Sequence, residues 1–347
     1  MAELLAARSA AVDADVALER SLFASGVGGA ESSADASARV PVIDLSLDDA
    51  ACAAALWEAA TTVGFFTVVN HGIPSELVDA AFASSRDFFA LPRAQKEAAS
   101  PFAPQLNSGF EFMTQVRPST GVPDQKESLQ ITARVGAMDG RWPARPEGFE
   151  ATARRFLQHA HALGQRILSL LEPAACPTLP GGTLAASHTL WGDDGQCTLR
   201  MLHYPPMDGA TCARLQGGER PHWRAGPHTD WCCCTLLFQQ PGNDGLECAA
   251  NPRAQRPDPA WIPVPPVAGG VAVNIGDMLA RWSDGRLLSN LHRVRMPTPA
   301  ECEPPRPRYS LAVFLQADKK CVLRSETHEP ITAGEYILGR IRSNFQK

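Results

Sequence analysis

Nowhere in the sequence do the roughly 18 apolar side chains needed for a bilayer-crossing helix run together, so no membrane span is expected. A basic stripe is missing as well. Against 37 Asp and Glu stand 32 Lys and Arg, a formal net charge of −5, and nucleic acid is not an expected partner. The first twenty residues hold no continuous apolar segment behind a basic start, because Glu3, Asp13, Asp15 and Glu19 interrupt them. That pattern argues against a secretory signal and makes the cytoplasm the expected compartment; the Ala- and Ser-rich opening leaves organelle targeting open. Neither an internal repeat nor an interdomain linker is visible.

What is present is an ordinary soluble composition, 44% hydrophobic and 20% charged, in a 347-residue chain long enough to bury a large core. Its ten cysteines are expected to be free thiols in a reducing compartment. The run Cys232-Cys233-Cys234 invites a metal reading. Neighbours on a strand point to opposite faces, however, so the three cannot meet on one ion, and small buried side chains are expected instead.

Residues 1–37 show little pattern beyond a short helical stretch near Val16 to Phe23 and are expected to form a disordered tail. Order begins with an apolar strand from Val40 to Leu45, then a helix over Asp49 to Thr62 with Leu56 and Trp57 on its apolar side. A strand from Gly64 to Val69 runs into the turn Asn70 to Pro74, and Ser75 is expected to cap a helix reaching Phe89. Loops and short strands are expected over 100–146. A long helix follows from Glu147 to Leu171, with Phe156, Ala160, Leu163, Ile167, Leu170 and Leu171 on one stripe and Pro173 as its stop.

From Thr198 onward short strands dominate: Leu199 to Tyr204, Cys233 to Gln239, Gly270 to Ile275 and Tyr309 to Leu315. Pro-rich loops are expected at 252–266 and 297–307, and a closing helix from Gly334 to Phe345. Helices ahead of many short strands predict a mainly β fold, a barrel or jelly roll with an α-rich N-terminal support. The expected organisation is the tail at 1–37, an N-terminal region at 38–175, and a jelly-roll domain with a C-terminal helix at 176–347.

The segment Gly226-Pro227-His228-Thr229-Asp230 carries the chemistry. In extended chain, residues i and i+2 share a face, so the His228 imidazole and the Asp230 carboxylate can reach one ion. His292, in Ser289-Asn290-Leu291-His292, is the candidate third ligand. Two imidazoles and one carboxylate occupy one face of an octahedron and leave three positions open, which suits iron(II) binding O2 together with an organic cosubstrate. Zinc accepts the same ligands without the redox step. His-x-Asp alone is a weak motif, but Arg308 and Ser310 open a later apolar strand and again share a face. A guanidinium fork and a hydroxyl pointing into a barrel match a carboxylate.

In this order and spacing His228-x-Asp230, His292 and Arg308-x-Ser310 resemble the isopenicillin N synthase-like group of iron(II)/2-oxoglutarate dioxygenases. The likeness runs from Val40 to the C-terminus. Pro41 to Leu45, Gly64-Phe65-Phe66, Val69 to Pro74, Asp124 to Ser128, Leu199-Arg200, His203 to Pro206 and Asn274 to Asp277 also fit. The resemblance implies a double-stranded β-helix enclosing Fe(2+) and 2-oxoglutarate, with Arg308 and Ser310 on the distal carboxylate and Tyr204 as a further donor. One departure stands out: many plant members carry Asn where this chain has Leu202, so the cosubstrate site is expected to be less polar there.

The resemblance further implies oxidative decarboxylation of 2-oxoglutarate, consuming O2 and releasing succinate and CO2, coupled to hydroxylation, desaturation or ring closure of a small metabolite. Phe110, Phe112 and Met113 are candidate substrate contacts in the variable loops, and a monomer is expected. His71 reads as a structural hydrogen-bonder, His222 as a loop residue, and His203 should point away from the face that Tyr204 shares. Two alternatives stay open: an iron oxidase of the same fold that uses no 2-oxoglutarate, and a silent binding protein.

Overall fold

The computed structural model describes residues 39–116, 120–219, 222–250 and 261–345. The expected tail at 1–37, with its helical stretch, lies outside them, as does most of the Pro-rich loop expected at 252–266. In chain order the elements begin β1 (Val42–Asp44), α1 (Asp49–Thr62), β2 (Phe65–Val69), α2 (Ser75–Phe89), α3 (Arg93–Ala99), β3 (Gly109–Phe112) and β4 (Glu127–Thr132). Next come α4 (Phe149–Ala175), α5 (Thr183–Ala186), β5 (Thr198–Tyr204), α6 (Gly209–Gln216), β6 (Ala225–His228), β7 (Cys234–Gln239) and β8 (Leu246–Ala249). The remainder is β9 (Trp261–Pro263), β10 (Val271–Ile275), α7 (Asp277–Trp282), β11 (His292–Val294), β12 (Arg308–Leu315), β13 (Val322–Leu323), β14 (Ile331–Thr332) and α8 (Ala333–Phe345).

Local chemistry accounts for most boundaries. Asp48 caps α1, its carboxylate accepting the Ala51 N–H at 3.0 Å. In α2 the cap position is Pro74, and Ser75 is the first helical residue rather than the cap. Pro173 does not stop α4 as expected; the helix runs on to Ala175. Near a C-terminus a proline forfeits only one helical bond. Burial of Leu171 and Ala175 and the Cys176 N–H to Glu172 carbonyl bond hold the last turn. The short helix α3 has no capping side chain, and its signal is propensity alone: Arg, Ala, Gln, Lys and Glu favour helix, and Arg93 pairs with Glu97 one turn on.

The strands form a sandwich. An eight-stranded sheet, ordered β1-β2-β10-β7-β12-β5-β4-β3, is antiparallel except for β1 beside β2. It faces a four-stranded sheet ordered β6-β11-β8-β9. Phe65, Leu202 and Tyr204 of the large sheet meet Ala225, Leu246, Cys248 and Val294 of the small one in a shared apolar cluster. The outer face of the large sheet (Leu129, Met201, Leu236, Leu311, Val313) packs against Phe82, Phe156, Leu163 and Ile167 of α2 and α4. Close approach there depends on Gly164, where a Cβ would stand 2.1 Å from the Leu315 side chain. This is the expected jelly-roll core on an α-rich support, built as two facing sheets and not as a closed barrel.

Burial behind the sheet sets an acid limit. His188 is fully enclosed; its Nδ1 donates to the Leu184 carbonyl at 2.7 Å, and burial pulls its pKa down to about 4. The unfolded chain, with an ordinary imidazole, binds more protons below pH 6.5, so stability falls as pH drops from 6.5 to about 4. We expect this group to remove about 3 kcal/mol across that window. His188→Asn, which keeps a donor for Leu184 but cannot titrate, should flatten the decline in denaturant midpoint between pH 6.5 and 4.5; an unchanged slope would exclude His188 as its source.

Candidate active site

Two short strands of the small sheet bring the histidines together. β6 ends at His228, and its antiparallel partner β11 begins at His292, registered directly opposite. Asp230 follows two residues after His228. His228 Nε2 lies 3.8 Å from Asp230 Oδ1, and His292 Nε2 lies 3.7 Å from Asp230 Oδ2. The imidazole centroids are 4.2 Å apart, and one donor atom from each of the three residues lies within 4.8 Å of the others.

Each donor is oriented beforehand. Nδ1 of His228 is 2.8 Å from the Gly226 carbonyl, and Nδ1 of His292 is 3.2 Å from that of Asn290. A carbonyl only accepts, so Nδ1 carries the proton and Nε2 offers its lone pair to the centre. Asn290 is pinned in turn, its Nδ2 donating to the carbonyls of Val63 and Ala249. Asp230 Oδ2 accepts Thr235 Oγ1–H at 2.6 Å and Asn274 Nδ2–H at 2.9 Å, both from the large sheet. The Asp277 N–H donates to the Asp230 carbonyl at 2.7 Å, while the Asp277 carboxylate pairs with Arg340, wholly buried on α8. Gly276 makes the close turn beside Asp230 feasible: a Cβ there would stand 2.2 Å from the Cys232 carbonyl oxygen. Phe65 sets its edge against His292 at 5.3 Å. Two neutral imidazoles and a carboxylate, each steered by an outer hydrogen bond, fit a divalent transition metal such as iron(II).

Farther along the interior, β12 directs Arg308, Ser310, Ala312 and Phe314 toward the small sheet. Arg308 is registered opposite Tyr204, its guanidinium 4.8 Å from the ring centroid. Its Nε donates to the Asn243 carbonyl at 3.1 Å, Nη2 to Gln239 Oε1 at 3.1 Å and Nη1 to Ser310 Oγ at 3.5 Å. These acceptors are all neutral, and among the described residues Arg308 forms no ion pair. Burial pushes its guanidinium below the usual range, and the adjacent Tyr204 opposes the shift. The Asp244 carboxylate acts on it through space without forming an ion pair, and a buried cation hydrogen-bonded only to neutral acceptors suits an anion. Leu202, opposite Ser310, is buried in the inner apolar cluster, so this stretch of wall is indeed apolar.

The register of β3 turns Phe110 and Phe112, the expected substrate contacts, to the outer face of the large sheet, away from the metal cluster. Phe110 is registered opposite Leu129, on the outer face, where it packs 5.9 Å from Phe88 and 6.4 Å from Phe89. Phe112 lies on that same face beneath the Arg93 guanidinium, 4.3 Å from its ring centroid. Met113, just past the strand, lines a shallow cleft with Glu111, Asp124, Lys126 and Ser128.

Residues that the sequence alone did not single out take the inner face. Gln130 donates to the Glu111 carboxylate, and Arg200 Nη2 donates to Gln130 Oε1 at 2.8 Å. The Arg200 guanidinium stands 5.0 Å from the Phe314 ring. Cross-strand register places Arg200 beside Gln130 and Ala312, one row from Ser310. A signal existed: Arg200 lies four residues before Tyr204, so strand alternation puts the two on one face.

The remaining histidines stay away from the centre. His71 Nδ1 accepts the Ile73 N–H, His222 meets the Gln125 side chain, and His203 turns away from the face of Tyr204. All ten cysteines are free. Cys232, Cys233 and Cys234 are fully buried, and burial pushes all three thiols up, as suits inert packing groups.

Fold and site together define a jelly-roll oxygenase with a 2-His-1-carboxylate centre. Comparison with known proteins places it further. Residues 40–146 match the family described as the N-terminal region of non-haem dioxygenases in morphine synthesis, and residues 195–317 match the 2OG-Fe(II) oxygenase superfamily. The chain is 30% identical over 306 residues to the validamycin A dioxygenase of Streptomyces hygroscopicus subsp. limoneus, covering 82% of this chain and 78% of that one. It is 32% identical over 303 residues to the 2-oxoglutarate-dependent dioxygenase htyE of Aspergillus rugulosus, covering 81% and 86%. The crystal structure of a full-length Neurospora crassa protein in complex with alpha-KG and thymine superposes with a TM-score of 0.72 at 26% identity, covering 91% and 100%.

The chain belongs to the 2OG-Fe(II) oxygenase superfamily. It is a dioxygenase that uses iron(II), 2-oxoglutarate and O2 to oxidise a small metabolite. Among the described residues no helix is long and apolar enough to cross a membrane.

Proposed function

We propose that His228, Asp230 and His292 hold the iron, and that Arg308, Ser310 and Tyr204 hold the distal carboxylate of 2-oxoglutarate. The observation that carries this reading is the buried Arg308, met only by neutral acceptors, in the same interior as a preset two-His-one-carboxylate cluster. When bound, the iron supplies the redox chemistry that couples O2 to decarboxylation of the cosubstrate, giving succinate and CO2. The chain's own part is geometric. Thr235 and Asn274 fix the Asp230 carboxylate, the Gly226 and Asn290 carbonyls fix both imidazoles, and Phe65 keeps water from the apolar side of His292. Arg308 presents a fork to one end of the cosubstrate and thereby sets the distance of its other end from the ligand cluster.

The substrate site is assigned to the wall bearing Arg200, Gln130, Glu111 and Phe314. Gln130 joins a cation to an anion, which locks its amide and leaves the Arg200–Phe314 corner as a surface for a ring carrying an acceptor oxygen. Hydroxylation of such a molecule is the reading that fits best. The region 38–175 supplies the helical support together with four strands of the large sheet, including the Glu111 and Gln130 part of the substrate wall, and 176–347 supplies the metal ligands and the cosubstrate clamp, in a cytoplasmic monomer serving secondary metabolism. Arg200→Met should raise the substrate KM about tenfold or more and leave the 2-oxoglutarate KM alone, since a charge-assisted hydrogen bond is worth roughly 1.5–3 kcal/mol. Iron-dependent succinate release, screened against oxygen-bearing ring compounds, tests the function itself. Stimulation by acceptor-bearing rings is expected, and stimulation confined to purely apolar compounds would overturn the substrate assignment.

A further inference from the structure

Behind the proposed cosubstrate clamp, on the outer face of the same strands, lies a buried charged cluster that the metal chemistry does not touch. Glu127 of β4, His203 of β5 and Tyr309 of β12 form one cross-strand row. The Glu127 carboxylate accepts His203 Nδ1–H at 2.6 Å and Lys96 Nζ–H at 2.9 and 2.7 Å. Lys96, from α3, also donates to the Phe89 carbonyl at 3.1 Å. The His203 ring lies flat on Tyr309, centroids 4.6 Å apart and planes 13° apart, with Phe89 beside the pair, 5.4 Å from His203 and 6.5 Å from Tyr309. Glu127 is 3% exposed, Lys96 5% and His203 8%, so the cluster is dry.

Its position along the strands gives the cluster a role. His203 is the residue between Leu202 and Tyr204, and Tyr309 the residue between Arg308 and Ser310. Successive strand residues alternate faces and advance by about 3.3 Å, so the outer row lies between the two inner rows, Arg308–Tyr204 and Ser310–Leu202. A buried carboxylate held by two donors tolerates little displacement, because any shift leaves a charge unpaired in apolar surroundings. The stack of His203 on Tyr309 ties β5 to β12 at the point where Tyr204 meets Arg308.

We propose that His203, locked by Glu127 and Lys96 and stacked on Tyr309, is a positioning residue for the cosubstrate clamp, fixing Tyr204 and Arg308 at the spacing that one carboxylate requires. This rests on the assignment of Arg308, Ser310 and Tyr204 to 2-oxoglutarate. It adds that the selectivity of the pocket for a second, distal carboxylate is set from behind the sheet.

The test is anaerobic calorimetric titration of iron(II)-loaded full-length protein with 2-oxoglutarate and, separately, with pyruvate. Pyruvate is a 2-oxo acid that lacks the distal carboxylate. His203→Phe keeps the stack and removes the bond to Glu127. It should weaken 2-oxoglutarate about 3- to 20-fold, the range for coupling through packed neighbours, and leave pyruvate unchanged. His203→Asn, which keeps a donor near the Nδ1 position but gives up the stack on Tyr309, should recover only part of the loss. Equal weakening of both acids, or unchanged 2-oxoglutarate binding while Arg308→Gln weakens it about tenfold or more, would overturn the proposal. If Arg308→Gln also has no effect, the clamp assignment itself fails and this inference with it. Should His203→Phe not fold, Tyr309→Leu, at a partly buried position, carries the same comparison and the same outcomes.

Discussion

Asp230→Ala should lower iron-dependent turnover by about a hundredfold or more, since loss even of groups that merely orient a metal ligand costs roughly 10- to 100-fold. The structure explains why no neighbour can substitute. Asp230 is the carboxylate standing between the two Nε2 atoms, and its Oδ2 is fixed by Thr235 and Asn274 from the opposite sheet. The substitution removes a ligand and also strips those two buried donors of their acceptor. Iron content measured beside turnover separates the effects: bound iron should fall well below one per chain while the fold, followed by far-UV circular dichroism, persists. Full activity in Asp230→Ala would remove the cluster from the mechanism.

Arg308→Gln should raise the 2-oxoglutarate KM about 10- to 100-fold, with turnover at saturating cosubstrate far less affected. A charge-assisted pair contributes roughly 1.5–3 kcal/mol, and each 1.4 kcal/mol is a factor of ten in affinity. The variant also relieves the cost of enclosing an unpaired cation, so the ligand-free protein should lose no stability. A thermal midpoint that rises or holds, together with a KM that climbs, is the signature expected of a binding arginine. A structural arginine would show the reverse.

Much of the site was legible in the sequence because its parts are local in the chain. His228 and Asp230 are two residues apart, as are Arg308 and Ser310, and strand alternation alone tells that each pair shares a face. The facing of β3 was not legible. In a strand of four residues, Gly109–Phe112, the register against β4 decides whether Phe110 or Glu111 points inward, and that register is a tertiary fact. The same limit hid the cluster behind the clamp. Lys96 and His203 lie 31 and 76 residues from Glu127 and meet it only because α3 packs on the sheet. The helix through Pro173 escapes the sequence for a related reason: burial of its last turn outweighs the one missing hydrogen bond.

The central claim is that His228, Asp230 and His292 hold an iron that acts on 2-oxoglutarate. Release of labelled CO2 from 2-oxoglutarate labelled at its first carbon, with and without added iron(II), tests it most directly in the wild-type chain, Asp230→Ala and His292→Ala. We predict release that requires iron in the wild type and falls to background in both variants. Release independent of iron, or equal across all three proteins, would contradict the account.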